Sequence, residues 1–218
     1  MVFREPLSGT DFGEWQRLAS LELHRNLRPA PQWVAIPRQI HSANIIDVCA
    51  EGETVGVGDG VVTATPLVAI GISVSDCVPL FAVDLDMGVV GLAHCGWRGV
   101  VGGVVEKLLE VMVSKGSEPA KATFLIGAAI GSCCYEVGED LLACFPPEEV
   151  RVFSRSDGQR VFFDLKGVVA SRLAACGAGP AKISIDNTCT SCKKYLLCSF
   201  RVDGRDCGRM LAFMMLTE

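Results

Sequence analysis

Ser75-Asp76-Cys77-Val78-Pro79-Leu80-Phe81-Ala82-Val83, then Asp84-Leu85-Asp86-Met87-Gly88, then Val89-Val90-Gly91-Leu92-Ala93-His94-Cys95-Gly96-Trp97-Arg98: this stretch decides the fold. Val78 to Val83 and Val89 to His94 are short apolar runs on either side of an Asp- and Gly-bearing turn, which reads as a β-hairpin. Paired strands lie about 4.8 Å apart. Cys77, at the start of the first strand, is therefore predicted to meet His94, at the end of the second, at the open end of the hairpin. The chain continues into the clearest helix of the sequence, Arg98 to Ser114. Glu106, Lys107 and Glu110 form its outer face and Gly116 its stop.

Upstream, Glu14 to Arg25 reads as a helix with Trp15, Leu18, Ala19 and Leu21 on one side. Trp33 to Ile36 and Asn44 to Val48 read as strands, and Gly60–Thr65 and Leu67–Val74 as a strand pair. Downstream, Ala122 to Ile126, Val161 to Phe163 and Ile183 to Ile185 read as strands, and Val137 to Phe145 as a helix ended by Pro146-Pro147. Asp164 is a fitting N-cap for a helix running to Ala175, with Gly177 at its C′ position. Leu196–Val202 and Arg209–Leu216 read as a hairpin about Asp203-Gly204-Arg205. Strands outnumber helices and often follow one another directly, which is an α+β or mixed α/β pattern rather than a Rossmann alternation. No dinucleotide fingerprint or Walker loop is present; the Gly99 to Gly103 run has the look of a phosphate loop, but Gly102 and Gly103 are expected to permit close helix packing.

The chain has 218 residues, half of them hydrophobic and 21% charged, so a sizeable core is expected and the length suits one large domain or two small ones; with no internal repeat or long linker, a single domain spanning 1–218 is the expectation. The net charge of -5, without a Lys/Arg block, argues against nucleic acid as a partner. The apolar stretch Val61 to Val83 is broken by Thr63, Thr65, Pro66, Ser73, Ser75, Asp76 and Pro79, so it does not fit a membrane span. The start shows no secretory pattern, and a cytoplasmic location is expected. Eleven cysteines, an odd number, then read as reduced thiols rather than a disulfide framework. Core filling is the default for Cys49, Cys144, Cys176, Cys198 and Cys207, and core or loop filling for Cys133-Cys134. Cys189-x-x-Cys192 has metal or redox spacing but no second such pair, so a structural role is expected.

The three histidines are His24, His41 and His94. His24 falls on the first helix, at its surface or end. His41 and His94 sit at strand ends beside turn residues, and Cys77 opens a strand between them. Imidazole and thiolate suit zinc, and three protein ligands with an open position are the catalytic pattern. From spacing alone, metal ligands and ordinary core or turn residues both remain open.

Five motifs then occur in the order of one known family: Gln39-Ile40-His41; Asp76-Cys77-Val78-Pro79-Leu80; Ala93-His94-Cys95-Gly96-Trp97-Arg98-Gly99; Ile126-Gly127-Ala128-Ala129-Ile130-Gly131-Ser132-Cys133-Cys134-Tyr135-Glu136-Val137-Gly138; and Cys189-Thr190-Ser191-Cys192 with Ser199-Phe200-Arg201 and Gly208-Arg209-Met210. Over roughly Trp33 to Leu216 the chain resembles the YfiH-like, or laccase-domain, family, whose members are described as polyphenol oxidases and as purine nucleoside phosphorylases. The resemblance implies a layered α/β sandwich with mixed sheets, similar to the cytotoxic necrotizing factor catalytic fold. It implies zinc, with copper able to replace it, on His41, Cys77 and His94. It implies phosphorolysis of adenosine, inosine and methylthioadenosine together with adenosine deamination. The family usually opens with a longer segment, of which Phe3-Arg4-Glu5-Pro6-Leu7-Ser8-Gly9 is at best a remnant. Ala128 and Cys95 replace the more usual Pro and Ala.

On this reading the partners are a purine nucleoside and phosphate, and the chain acts as a monomer or homodimer. An ion on the trio lowers the pKa of a bound water toward about 7, which suits attack at C6 of adenine. Asp76, Glu136 or Asp164 is a candidate acid/base. Arg98, at a helix start, either takes phosphate or caps structure through a carboxylate. Gln39 and Tyr135 are candidate base contacts, and the resemblance adds Arg201 and Arg209. Two rival functions are a copper polyphenol oxidase and a non-catalytic module with Cys95 or Cys133 as fourth ligand. A full laccase cluster needs many more histidines than three, so the chain cannot build one alone.

Overall fold

The computed structural model describes residues 2–3, 12–49 and 55–217. In chain order the strands are β1 (Val2–Phe3), β2 (Trp33–Ala35), β3 (Ile45–Val48), β4 (Gly60–Thr63), β5 (Val68–Val74), β6 (Val78–Asp84), β7 (Val89–Cys95), β8 (Thr123–Ile126), β9 (Glu136–Val137), β10 (Ser154–Asp157), β11 (Arg160–Phe163), β12 (Ile183–Ile185) and β13 (Arg209–Met215). The α-helices are α1 (Phe12–Asn26), α2 (Trp97–Val101), α3 (Val104–Ser114), α4 (Glu139–Leu142), α5 (Pro147–Phe153), α6 (Leu165–Ala175) and α7 (Phe200–Asp203). Residues 4–9, read above as a remnant of a longer family opening, lie outside the described residues.

The expected hairpin forms as β6 and β7, with Val78 opposite Cys95 and Pro79 opposite His94. It is the centre of a six-stranded sheet ordered β12-β8-β6-β7-β4-β3. Alternate residues of the hairpin face different cores, because side chains of a strand point to opposite faces. Val78, Leu80, Ala82, Val89 and Ala93 pack with Val104, Leu108 and Met112 of α3 and Val168, Val169 and Leu173 of α6. Phe81, Val90 and Leu92 pack on the other face, against Ile70, Ile72 and Val74 of β5 and Met210 and Ala212 of β13. Those strands belong to a second sheet, β1-β13-β5-β2. Its outer face is covered by Trp15, Ala19 and Leu23 of α1, which meet Ile36, Ala69 and Leu211. The stack is helix, sheet, sheet, helices, the layered mixed α/β sandwich expected.

Several local expectations change. On α1 the buried stripe is Trp15, Ala19 and Leu23; Leu18 and Leu21 are 36% and 41% exposed. Spacing of four, rather than general apolarity, selects the facing residues. Gly60–Thr65 and Leu67–Val74 do not pair: β4 lies between β3 and β7, whereas β5 lies between β2 and β13. Both strands are buried on two faces. Leu67, in left-handed backbone at φ 60, turns the chain from one sheet to the other. The Arg98–Ser114 helix is broken, because Gly103 at φ 88 is left-handed and restarts it as α3. Val137 is taken by β9, which pairs with β11, so the helix there shrinks to α4. Leu196–Val202 is not a strand. Val202 lies in α7, and β13 finds its partner in β5 instead. β10, Ser-Arg-Ser-Asp, is polar and mostly exposed, and carries no apolar alternation to read. Asp164 does cap α6, accepting from the Gly167 amide at 3.0 Å, and Gly177 has the left-handed φ of 94. Among the described residues, no helix is long and apolar enough to cross a membrane.

Candidate metal centre

The hairpin brings Cys77 and His94 together at its open end, and His41 reaches the same point from the loop between β2 and β3. The three ligating atoms lie within 4.8 Å of one another. The imidazole centroids are 4.9 Å apart and the rings nearly perpendicular, at 74°. A tetrahedral zinc ion with bonds of about 2.0–2.3 Å sets N and S donors roughly 3.3–3.8 Å apart, so small rotations close this trio around one ion. Gly96 backs the cluster: a Cβ there would stand 3.0 Å from His41 Cδ2 and 3.2 Å from Cys77 Sγ. Among the described residues this group holds three ligating side chains. Cys95 is fully buried in the helix-side core, and burial pushes its thiol pKa up. Cys133 belongs to a different cluster. Neither closes the site as a fourth ligand.

The residue that organises the trio is Asp59. Its carboxylate is fully buried and accepts from five donors. Oδ1 accepts from the His41 amide at 2.9 Å and from His94 Nδ1 at 2.9 Å. Oδ2 accepts from the amides of Ile40 at 3.2 Å and Ser42 at 2.6 Å, and from Ser42 Oγ at 2.8 Å. Burial alone would raise its pKa, but these hydrogen bonds, from His94 first and then Ser42, outweigh it and hold the carboxyl at about 2. His41 is thereby fixed in left-handed backbone, φ 61. His94 is held with Nδ1 on the carboxylate, which leaves Nε2 for the cluster; this is how carboxylates orient metal-binding imidazoles. Asp59 is not among the candidate residues that the sequence offers. An acid between two glycines just before a strand was the one signal available.

The electrostatics favour a thiolate. Burial opposes ionisation of Cys77, yet hydrogen bonds from His41 and His94 lower its pKa to about 6. Burial likewise opposes charge on His94, but Asp59 and then Cys77 raise it to about 9. Cys77 thus holds its charge near neutral pH, which is the form that binds metal.

The trio borders a cavity of about 720 Å³, within the range of small-molecule sites. Gln39, Asp76, Tyr135, Arg201 and Arg209 also line it. The Gln39 side-chain amide donates to the Ser73 carbonyl at 2.8 Å and accepts from the Ser73 amide at 2.7 Å, so it is tied to the wall. Asp76 accepts from Thr190 Oγ1 and the Arg201 amide, each at 2.6 Å. Burial, and next the charge of Cys77, raise the Tyr135 phenol to about 12. Arg98 does not line the cavity; its guanidinium lies 4.2 Å over the ring of Trp97, which does. The helix behind it is only the five residues of α2, which weakens the helix-terminus argument for phosphate. Asp164 is absent from the lining, its carboxylate being engaged as the α6 cap, while Glu136 does border the cavity. His24 is exposed in the last turn of α1, with Nδ1 2.8 Å from the Ser20 carbonyl. The core-filling expectation holds for Cys198 and Cys207, whereas Cys49 and Cys144 are exposed and Cys176 is half-buried.

Comparison with known proteins fits this geometry. The chain is similar in structure to YfiH from Bacillus licheniformis, with a TM-score of 0.80 at 27% identity, covering 96% of this chain and 82% of that one. The sandwich is therefore the YfiH-like fold. By sequence it is 32% identical over 210 residues to the purine nucleoside phosphorylase YlmD of Geobacillus stearothermophilus, covering 87% of this chain and 77% of the relative. It is 27% identical over 190 residues to the adenosine deaminase RL5 of an unknown prokaryotic organism, covering 81% of this chain and 72% of the relative. The pattern of the family described as multi-copper polyphenol oxidoreductase laccase matches residues 17–217, and the chain belongs to that family.

Proposed function

We propose that this chain is a metal-dependent purine nucleoside phosphorylase that also deaminates adenosine, acting on adenosine, inosine and methylthioadenosine. The observation that carries the reading is that one cavity of nucleoside size is bordered by both the His41-Cys77-His94 trio and the cationic side chains Arg201 and Arg209. Trp97, Tyr135 and Phe200 add aromatic surface for a flat base.

A zinc or copper ion on the trio supplies Lewis-acid polarisation. The chain's own residues do the rest. Asp59 keeps His94 and the His41 loop in register. Asp76, two hydrogen bonds already on its carboxylate, borders the cavity beside Cys77 and is positioned to exchange a proton with bound substrate or water. Arg201 Nη1 donates to the Glu136 carbonyl at 2.9 Å, and Arg209 Nη1 to the Cys207 and Gly208 carbonyls at 3.3 and 3.1 Å. Each guanidinium keeps further donors for the anion that phosphorolysis requires. Arg98, next to the cavity over Trp97, adds positive charge at its rim. The chain acts as one catalytic unit, monomeric or homodimeric, in a reducing cytoplasm.

The test is product analysis with metal-loaded protein and adenosine, with and without phosphate. Adenine and ribose 1-phosphate are expected only when phosphate is present, and some inosine in either case. If zinc- and copper-loaded protein releases no base from adenosine, inosine or methylthioadenosine with phosphate, the proposal fails.

A further inference from the structure

A second thiol cluster stands apart from the trio. Cys133, Cys134, Cys189 and Cys192 converge so that all four Sγ atoms lie within 4.8 Å of one another. Cys192 Sγ is 3.7 Å from Cys133 Sγ and 3.5 Å from Cys134 Sγ. We propose that these four cysteines bind one zinc ion as a tetrathiolate, a structural metal site separate from the His41-Cys77-His94 centre.

Geometry argues for one ion rather than for disulfides. In a zinc tetrathiolate with bonds of about 2.3 Å, neighbouring sulfurs are about 3.8 Å apart, which matches the spacing here. A disulfide needs about 2.05 Å. Moreover Cys192 stands almost equally close to two sulfurs, where a disulfide would choose one. The four sulfurs are also too closely gathered to wrap a cluster carrying its own inorganic sulfide. The spacing is that of a mononuclear site.

The chain around the cysteines is built to hold them. Gly131 donates its amide to Cys189 Sγ at 3.2 Å, a contact that favours thiolate. Backbone pairing of Ala129 with Cys189, and donation from the Thr190 amide to the Ala129 carbonyl at 3.0 Å, set the two segments side by side. The turn bonds Cys134 N to Gly131 O, at 2.9 Å, and Lys193 N to Cys189 O, at 3.0 Å, curl each cysteine pair toward the other. Four thiolates and one divalent ion leave two negative charges. Buried Lys166 offers charge compensation: its ammonium donates to the carbonyls of Asp186 and Thr188 at 2.6 and 2.9 Å, immediately before Cys189.

The role follows from what flanks the ligands. Tyr135 and Glu136 follow Cys134, and Thr190 lies between Cys189 and Cys192. Tyr135 and Glu136 line the cavity, and Thr190 holds Asp76. The ion closes a loop of more than fifty residues, and closing a long loop by a metal clip removes much unfolded-state freedom. It staples one wall of the cavity where the wall has little regular structure of its own.

The test uses the full chain, purified reduced and loaded with zinc. Elemental analysis of wild-type protein, of His94→Ala and of the double variant Cys134→Ser with Cys192→Ser separates the two centres. About two ions per chain are expected in wild type and about one in each variant. X-ray absorption of His94→Ala is expected to show zinc with sulfur neighbours alone, at about 2.3 Å. Should the double variant fold poorly, wild-type protein gives the same answer. Its four thiols should resist alkylation until a chelator removes zinc, with mass mapping naming Cys133, Cys134, Cys189 and Cys192. Folded His94→Ala protein that binds no zinc, or mapping that finds these four thiols equally reactive with and without zinc, overturns the proposal. Loss of nucleoside activity alone, with both ions retained, would count against the reading of the cavity and not against this site.

Discussion

Asp59→Asn is the most informative single change. The substitution keeps shape and burial but turns one carboxylate oxygen into a donor. Oδ2 faces three donors and Oδ1 two, so the surviving carbonyl is best placed at Oδ2. The new amino group then points at the His41 amide and at His94 Nδ1, and two charge-assisted hydrogen bonds are lost. At about 1.5–3 kcal/mol each, the loss reaches about 3–6 kcal/mol. The carboxyl gives a second figure. Its fall from 3.8 to about 2 corresponds to about 2 kcal/mol of stabilisation of the charged form after the burial cost is met. A destabilisation of about 2–5 kcal/mol is therefore expected, large against a usual total of about 5–15 kcal/mol. Metal affinity should fall roughly 10–100-fold, because His94 loses the partner that fixes its ring. Urea unfolding of metal-free protein measures the first effect and chelator competition the second. Ser42→Ala, which removes only the Oγ contact with Oδ2, should cost about 1 kcal/mol and leave affinity nearly unchanged. An Asp59→Asn protein within about 0.5 kcal/mol of wild type, with unaltered metal affinity, would refute the role given to this residue.

Other predictions concern the same region. Single variants His41→Ala, Cys77→Ser and His94→Ala should each lose the ion of the trio and nucleoside activity together; full zinc retention in all three by elemental analysis would remove the metal assignment. Arg209→Ala and Arg98→Ala should weaken phosphate use more than deamination, the former more strongly because Arg209 lines the cavity. Equal loss of both activities in steady-state assays would make these arginines structural. Gly96→Ala places a methyl 3.0 Å from His41 Cδ2 and 3.2 Å from Cys77 Sγ, and turnover should drop by roughly 10–100-fold. Wild-type turnover in that variant would mean the trio needs no such tight backing. The Asp59 carboxyl is depressed in the folded state, so its stabilisation is complete above pH 3.8 and lost as pH falls toward about 2. Acid titration of metal-free wild type against Asp59→Asn should show the two stabilities converging across that window.

Sequence alone determined what is local. The β6–β7 hairpin was legible because two apolar runs flank a turn of Asp and Gly, and hairpin geometry then forces Cys77 beside His94. The α6 helix was legible from its cap, Asp164, and its terminal Gly177. His41 stood beside the pair as a candidate by residue type and its place at a turn, but only the order of family motifs implied that it shares their site, since nothing periodic links a loop residue to a strand 53 positions on. Tertiary structure decided the rest. β4 and β5 are adjacent in sequence and apolar, so nothing local says that they enter different sheets; the demand to bury both faces of each does. Asp59 takes its role from three loop amides and an imidazole that long-range packing brings to its carboxylate. Cys133-Cys134 and Cys189-x-x-Cys192, more than fifty residues apart, become one cluster only because the loops after β8 and β12 run side by side. Pattern along the chain reports which face a residue turns to its neighbours in sequence; it carries no record of what long-range packing brings against that face.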